Sequence, residues 1–313
     1  MSKSNILVTG ASGLIGSSFI DSLGKDKGGH PETKRAYSNL GNFITPSHDQ
    51  MDITSRNQIL YYVSKYHPEI IINFAAHRDA NTAEQQSGKK NKSAWKVNVN
   101  AVKYLVEICK ENNIFMIHIS TDMIFSGSMD NKGPQSEDSK MYYDPSLLSW
   151  YGWTKLIAER EIINSKINAA IVRVANVTKT IYDPKLDYIG KIIWLYDNNK
   201  LYPLFNDQYL TVTYIPQVSE ALTKLIALRK KGIYHIASSN VCTPHELAEY
   251  TLLKVRGVKQ VVKSVSISKF LAKMPNRYPK YGGLDATRTN KILDLKPYTW
   301  QMLSDKFVGT KIL

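Results

Sequence analysis

Three glycines near the N-terminus restrict this chain more than any other feature. Gly10-Ala11-Ser12-Gly13-Leu14-Ile15-Gly16 follows the apolar run Asn5-Ile6-Leu7-Val8-Thr9 and opens a helical stretch from about Leu14 to Leu23. Strand, glycine turn and helix in that order leave few folds open. Glycine permits backbone angles and close approaches that a Cβ forbids. The helix start leaves free N–H groups and a positive dipole end facing the turn. Together they form a cradle for a phosphate, and after a first strand this pattern points to the pyrophosphate of a dinucleotide. The turn from Gly10 to Gly16 is its candidate segment.

The rest of the first half keeps the same rhythm. Asn42 to Thr45 reads as a second strand, reached through a polar, glycine-containing segment from Gly24 to Gly41. Ser55 to Tyr66 reads as a helix, and Glu69 to Phe74 as a buried strand entered through Pro68. A long helix over Ala94 to Asn112, a strand over Ile114 to Ser120, a helix over Trp150 to Ser165 and a strand over Ala169 to Ala175 follow. Apolar strands alternating with helices predict a doubly wound parallel sheet of the Rossmann type, in the α/β class. Beyond about residue 176 the pattern loosens. Strand pieces at Leu201 to Phe205 and Leu210 to Tyr214 and helices at Gln217 to Arg229 and His245 to Val255 flank the strand Gly232 to Ala237. The expected division is a dinucleotide-binding domain over 1–175 and a smaller, mostly substrate-binding lobe over 176–313, with about 210–240 returning to the sheet.

Chemistry enters with Tyr151-Gly152-Trp153-Thr154-Lys155. Residues i and i+4 share a helix face, so Lys155 stands near Tyr151. A phenol ordinarily titrates near pH ~10, and a neighbouring ammonium favours the phenolate and lowers that value. The pair is therefore a candidate proton donor to a carbonyl that receives hydride. Between the glycine turn and this pair, the strand Ile114 to Ser120 ends in Ser120-Thr121-Asp122. Hydroxyls therefore emerge at the C-terminal edge of the sheet, where one of them can hold a substrate carbonyl.

Several classes are disfavoured. No apolar run reaches the length of a membrane span, and the N-terminus lacks the layout of a secretion signal, so no membrane partner is expected. Cys109 and Cys242 are isolated, without metal-ligand spacing, so no metal site is expected and a reducing, cytoplasmic setting fits. The net charge of +14 is spread along the chain, its densest clusters being Lys25 to Arg35 and Lys89-Lys90-Asn91-Lys92. With no nucleic-acid motif alongside, this reads as a basic surface that also favours an anionic substrate, such as a diphosphate, and no nucleic acid is expected.

The three motifs in this order resemble the extended short-chain dehydrogenase/reductase family, and within it the dTDP-4-dehydrorhamnose reductases. The resemblance runs over nearly the whole chain, through Met51-Asp52-Ile53-Thr54, Pro68 to His77, Ser120 to Gly127, Tyr151 to Glu159, Asn206-Asp207-Gln208, Gly232-Ile233-Tyr234-His235 and Gly283 to Thr287. It implies that Gly10, Ser12, Gly13, Leu14 and Ile15 hold the pyrophosphate, that Asp52 and Ile53 edge the adenine and that Ala75, Ala76 and His77 follow the ribose and phosphates. It implies that Thr121 orients a keto oxygen, Tyr151 protonates it and Lys155 also holds the nicotinamide ribose. The implied reaction is NAD(P)H-dependent reduction of the C4 ketone of a nucleotide-linked 4-keto-6-deoxy sugar, by a homodimer. NADP is favoured over NAD, because Pro46-Ser47-His48 places no carboxylate at the end of the second strand to repel a 2′-phosphate. Arg277 is a candidate for the substrate diphosphate.

The family pattern is broken at Met123, where Tyr is usual, at Asn176 and its neighbours, where a Trp is usual, and at Tyr209 to Val212, where Gly and Pro are usual. These departures fall where the sugar is expected, so a different substrate is open. Two other readings stand beside the reductase. One is a nucleotide-sugar dehydratase or epimerase of the same family, against which Met123 counts because it cannot exchange a proton. The other is a non-catalytic NADP-binding regulatory subunit, resembling the methionine adenosyltransferase β-subunit.

Overall fold

A computed structural model describes residues 4–24, 40–179, 187–275 and 277–309. The basic cluster Lys25 to Arg35 and most of the segment Gly24 to Gly41 lie outside them. The chain divides into two compact units. The first runs to Ile124 and adds Ser149–Arg173 and Val218–Tyr234; the second takes Phe125–Leu148, Val174–Gln217 and the chain from His235 onward.

A parallel sheet of six strands dominates the fold: Asn5–Thr9 (β1), Asn42–Ile44 (β2), Ile70–Asn73 (β3), Phe115–Thr121 (β4), Ala169–Val174 (β5) and Gly232–Ile236 (β6). Their order across the sheet is β2-β1-β3-β4-β5-β6. The register sets Ile6 beside Ile70 and Thr9 beside Asn73, then Ile70 beside Phe115 and Asn73 beside His118. All four residues of β3 are buried, as a strand covered on both faces demands. The chain leaves β1 for β2 on one side and returns to β3 on the other. That reversal is the switch point at which open α/β sheets bind ligands, beyond the strands' C-terminal ends.

Helices α1 (Leu14–Leu23) and α2 (Arg56–Tyr66) match the sequence expectation closely, as does Trp150–Ser165. The expected single helix over Ala94 to Asn112 differs: a turn at Ser93–Trp95 passes into a π-helical turn at Lys96–Asn100 before the α-helix Ala101–Asn112 begins. The first unit's core joins Leu7, Ile71 and Met116 of the sheet to Ile59, Leu105 and Ile108 of the helices. Each such side chain contributes about 1.5–3 kcal/mol by leaving water.

In the second unit, helices Tyr188–Asp197, Pro244–Arg256 and Trp300–Asp305 bury a separate cluster that includes Ile193, Leu247, Leu252 and Leu303. Thr243 and Glu246 form a reciprocal capping box at the start of Pro244–Arg256. The expected strands here are shorter, Leu204–Phe205 and Thr213–Tyr214, each pairing with one two-residue partner. No described helix is long and apolar enough to cross a membrane. Among the described residues no group of three or more His, Cys, Asp or Glu could hold a metal ion.

Candidate active site

Gly10 sits at the C-terminal end of β1 with φ +68°, in the left-handed region. A Cβ there would lie 2.5 Å from the Ala75 nitrogen and 2.7 Å from its Cα. Only glycine lets the first turn pass this close to the chain leaving β3. Gly13 N–H donates to the Gly10 carbonyl at 3.0 Å, which closes the turn. Gly13 is also the N-cap of α1 and supplies no side-chain acceptor, so the first N–H groups of that helix keep their donors. Ser12 is exposed, Leu14 is buried and Ile15 is half-buried. The turn, too tight against Ala75 for a Cβ at Gly10 and set at a helix N-terminus and a switch point, fits a dinucleotide pyrophosphate.

The other expected cofactor residues divide. Ala75, Ala76 and His77 leave β3 along the same edge, each partly accessible. His77 is pinned by Asn98, which accepts from the His77 N–H at 2.8 Å and donates to the His77 carbonyl at 3.1 Å. The imidazole Nδ1 of His77 is buried and has no hydrogen-bond partner. Asp52 is turned onto its own chain, accepting from the N–H and hydroxyl of Thr54 at 2.8 and 2.9 Å. Ile53 is part of the hydrophobic core. Beyond β2, Thr45 to His48 carry no carboxylate, and Asp49 is exposed in the turn after them.

The catalytic helix α6 (Trp150–Ser165; α3 is Ala80–Glu84, α4 Ser93–Trp95, α5 Ala101–Asn112) is set by three contacts. Ser149 caps it through the Gly152 N–H, and Glu84 of α3 accepts from the Trp150 N–H at 2.9 Å. At Gly152 a Cβ would stand 2.1 Å from the Met123 carbonyl oxygen. The glycine in the Tyr-Gly-Trp-Thr-Lys motif thus lets the helix rest on the backbone just beyond β4. This brings Tyr151 to the end of that strand, where the Thr121 side chain is near enough to act on its phenol. Thr121 also donates to Asp122 at 3.2 Å. Trp150 stacks on Trp95 behind the site, with ring centroids 5.6 Å apart.

The electrostatics correct one sequence expectation. The phenol of Tyr151 is pushed up to about 12, first by burial and then by the Asp122 carboxylate; the Thr121 side chain and Arg78 pull the other way. Lys155 is not among the groups that lower it. Its nitrogen lies 2.7 Å from the Ile119 carbonyl and 3.0 Å from His118 Nε2. Burial pulls Lys155 down to about 8, against the Glu159 carboxylate one turn further on, which raises it. Asp122 is raised by burial to about 6.

Sequence reasoning missed the buried polar residues that hold these groups. Asn98 lies on the π-helical turn and also donates to Thr154 at 2.9 Å, which in turn donates to the Tyr151 carbonyl at 2.8 Å. It therefore ties the His77 segment to the catalytic helix. Glu159 and Arg173 form an ion pair with neither side chain accessible and Nη2–Oε2 at 2.7 Å. The available signal was polarity where the period calls for core: Asn73 and His118 inside apolar strands, Asn98, Lys155 and Glu159 on buried helix faces.

Of the positions that depart from the family pattern, Met123 gives its N–H to the Thr121 hydroxyl at 3.3 Å. Asn176 adopts φ +45° and donates to the Thr211 carbonyl at 3.0 Å, so its side chain serves a left-handed backbone turn. Leu210 is 4% exposed in the second unit's hydrophobic cluster, and its role is packing. Arg277 is buried with its guanidinium 4.8 Å from the Tyr278 ring centre.

A glycine cradle at the switch point of a parallel sheet, with a Thr, a Tyr and a Lys at the neighbouring strand end, defines a dinucleotide-binding protein of the short-chain dehydrogenase/reductase type. The chain belongs to the RmlD substrate binding domain family, whose profile it matches over residues 4–310. It is similar to a probable low-salt glycan biosynthesis reductase, Agl14, of Haloferax volcanii, at 28% identity over 82% of each chain. It is also similar to the dTDP-4-dehydrorhamnose reductase of Aggregatibacter actinomycetemcomitans, at 25% identity over 95% of each. The solved structure of the Bacillus anthracis dTDP-4-dehydrorhamnose reductase, in complex with NADP, shares the fold. Its TM-score is 0.77 at 22% identity, covering 97% of this chain and 98% of that one.

Proposed function

We propose that this protein is an oxidoreductase that uses NADPH to reduce the C4 keto group of a nucleotide-linked 4-keto-6-deoxy sugar. The observation that carries the reading is the convergence of the Thr121 side chain and the Tyr151 phenol at the end of β4, with Lys155 one turn along the same helix. A hydroxyl and a phenol so placed can share one carbonyl oxygen. Thr121 orients it, and Tyr151 delivers the proton as the oxygen gains negative charge. When bound, the nicotinamide supplies the hydride. Gly10, Ser12, Gly13, Leu14 and Ile15 would hold the pyrophosphate, Ala75, Ala76 and His77 the adjoining ribose and phosphate, and Asp52 and Ile53 the adenine edge. Lys155 would add a bond to the nicotinamide ribose.

A phenol raised to about 12 is a poor acid at rest, and its proton becomes transferable only as charge develops on the substrate oxygen. Protonated Tyr151 suits the reducing direction, because the step begins with the proton on the enzyme. The absence of a carboxylate over Thr45 to His48 supports NADPH over NADH, and the Bacillus anthracis relative was solved with NADP. The relatives named as dTDP-4-dehydrorhamnose reductases support the substrate class. The domain roles follow: cofactor binding within 1–175, substrate binding mostly within 176–313, with about 210–240 contributing to the sheet. A cytoplasmic homodimer completes the reading, for which two buried, unpaired cysteines support the compartment.

The test is to supply NADPH or NADH with a panel of nucleotide-linked 4-keto-6-deoxy sugars and follow loss of the reduced cofactor. Turnover with NADPH and a C4 alcohol product is the expected result. No oxidation of either cofactor with any member of the panel would remove the reading.

A further inference from the structure

Four buried side chains form a continuous chain of hydrogen bonds beneath the site: Thr9, Asn73, His118 and Lys155. All are at most 2% exposed. The Thr9 hydroxyl lies 2.6 Å from Asn73 Oδ1, Asn73 Nδ2 lies 3.0 Å from His118 Nδ1, and His118 Nε2 lies 3.0 Å from Lys155 Nζ. The proton positions follow from one fixed donor. The Ala75 backbone N–H points at Asn73 Oδ1 at 3.2 Å. A backbone N–H only donates, so that end of the amide is the oxygen, and the opposite end is the NH₂ group. Asn73 therefore donates to His118, and His118 Nδ1 must be an acceptor without a hydrogen.

An imidazole with bare Nδ1 carries its hydrogen on Nε2. Nε2–H then faces Lys155 Nζ. An ammonium has three donors and no lone pair, so a charged lysine would set donor against donor. The neutral amine resolves the contact: it accepts from Nε2–H and donates to the Ile119 carbonyl at 2.7 Å. We infer that His118, locked by Asn73, docks Lys155 as the neutral amine, so that charging Lys155 breaks the His118 contact and frees the lysine to turn toward Tyr151. His118 is thus a positioning residue acting through Lys155. The inference rests on the functional reading only for what the freed ammonium does.

The surrounding charges agree. Glu159, on the same helix, is engaged by Arg173. Asp122, from the turn after β4, and Arg78, from the segment after β3, act on Tyr151. Among the described residues no carboxylate forms an ion pair with Lys155 Nζ. Burial alone pulls His118 down, and a charged Lys155 would pull it further, so the ring stays neutral beside either form of the lysine. Lys155 itself is held at about 8, against 10.5 for a free lysine.

The test reads protons rather than turnover. Nitrogen-15 NMR of the histidine rings in the full-length protein should show His118 with Nε2 protonated and Nδ1 bare. Carbon-13 at lysine Cε, assigned by loss of its signal in Lys155→Arg, should show Lys155 titrating near pH ~8. Asn73→Asp keeps the shape and both acceptor contacts but presents a carboxylate oxygen to Nδ1. The hydrogen should then move to Nδ1, Nε2 should accept from the ammonium, and the Lys155 midpoint should rise by a pH unit or more. Where Asn73→Asp does not fold, the wild-type ring signals still decide. Nδ1 protonated in the wild type, or an unmoved Lys155 midpoint in a folded Asn73→Asp, overturns the inference. A protein that passes this test yet reduces no nucleotide sugar loses the functional reading instead.

Discussion

At the scale of single residues, the site is organised by buried charge as much as by its reacting groups. Asp122 shows this most directly. Its folded value of about 6 stands above its ordinary 3.8, so the folded state prefers the protonated form. The stability this contributes is full below about pH 4 and is lost as pH rises through 6. A shift of about two units corresponds to roughly 3 kcal/mol. Asp122→Asn should therefore flatten the fall in stability between pH 4 and 7, measured by urea unfolding at each pH. It should also lower the Tyr151 titration, because the carboxylate is one of the groups raising it. An unchanged pH–stability profile would show that Asp122 is not desolvated as described. Glu159 makes the opposite case. Removing it leaves the Arg173 guanidinium buried and unmatched, so Glu159→Ala should cost about 3–5 kcal/mol. A loss under 1 kcal/mol in the same unfolding measurement would mean that Arg173 finds water.

At the scale of elements, the sequence was most legible where local chemistry marks a boundary. The strand Asn5–Thr9 and helices Leu14–Leu23 and Trp150–Ser165 begin and end as read, because a glycine turn and a serine cap mark their starts. Positions 94–112 were legible only in part. The apolar period is nearly the same on either side of Lys96–Asn100, so the sequence period carries no sign of the π turn that directs Asn98 inward. The short strands Leu204–Phe205 and Thr213–Tyr214 were overextended because their apolar neighbours, Leu201 and Leu210, fill other roles. The Tyr–Lys pair was found by spacing. Its electrostatics were not, because the Lys155 nitrogen faces residues of β4 nearly 40 positions earlier. Gly152 tests the seating of the catalytic helix. Gly152→Ala would bring a methyl group to 2.1 Å from the Met123 carbonyl oxygen, so the helix must lift away from the strand end. Turnover should fall at least tenfold while cofactor binding changes little. Equal turnover in this variant would show that the close approach does not set the geometry of Tyr151.

At the scale of the whole molecule, cofactor binding should register as stability. A ligand that binds only the folded chain at one hundred times its dissociation constant adds about 2.7 kcal/mol. NADPH should raise the melting temperature of the wild type, and NADH should do so less at equal concentration. Gly10→Ala should abolish the rise, because its methyl group would meet the Ala75 backbone and push the first turn out of place. A Gly10→Ala protein that NADPH still stabilised fully would place the cofactor elsewhere. The basic character of the chain was legible, whereas its partner was not, since charge alone names no ligand. The fold was legible because parallel strands, glycine turn and helices all agree on one topology.

The decisive measurement is a comparison of wild type with Tyr151→Phe, in turnover and in NADPH affinity together. The variant removes one hydroxyl and leaves the ring. NADPH affinity should remain within a few-fold of wild type while kcat falls by about 10²–10⁴. A variant that reduces the sugar at the wild-type rate would contradict the assignment of Tyr151 as the proton donor, and with it the chemistry assigned to this site.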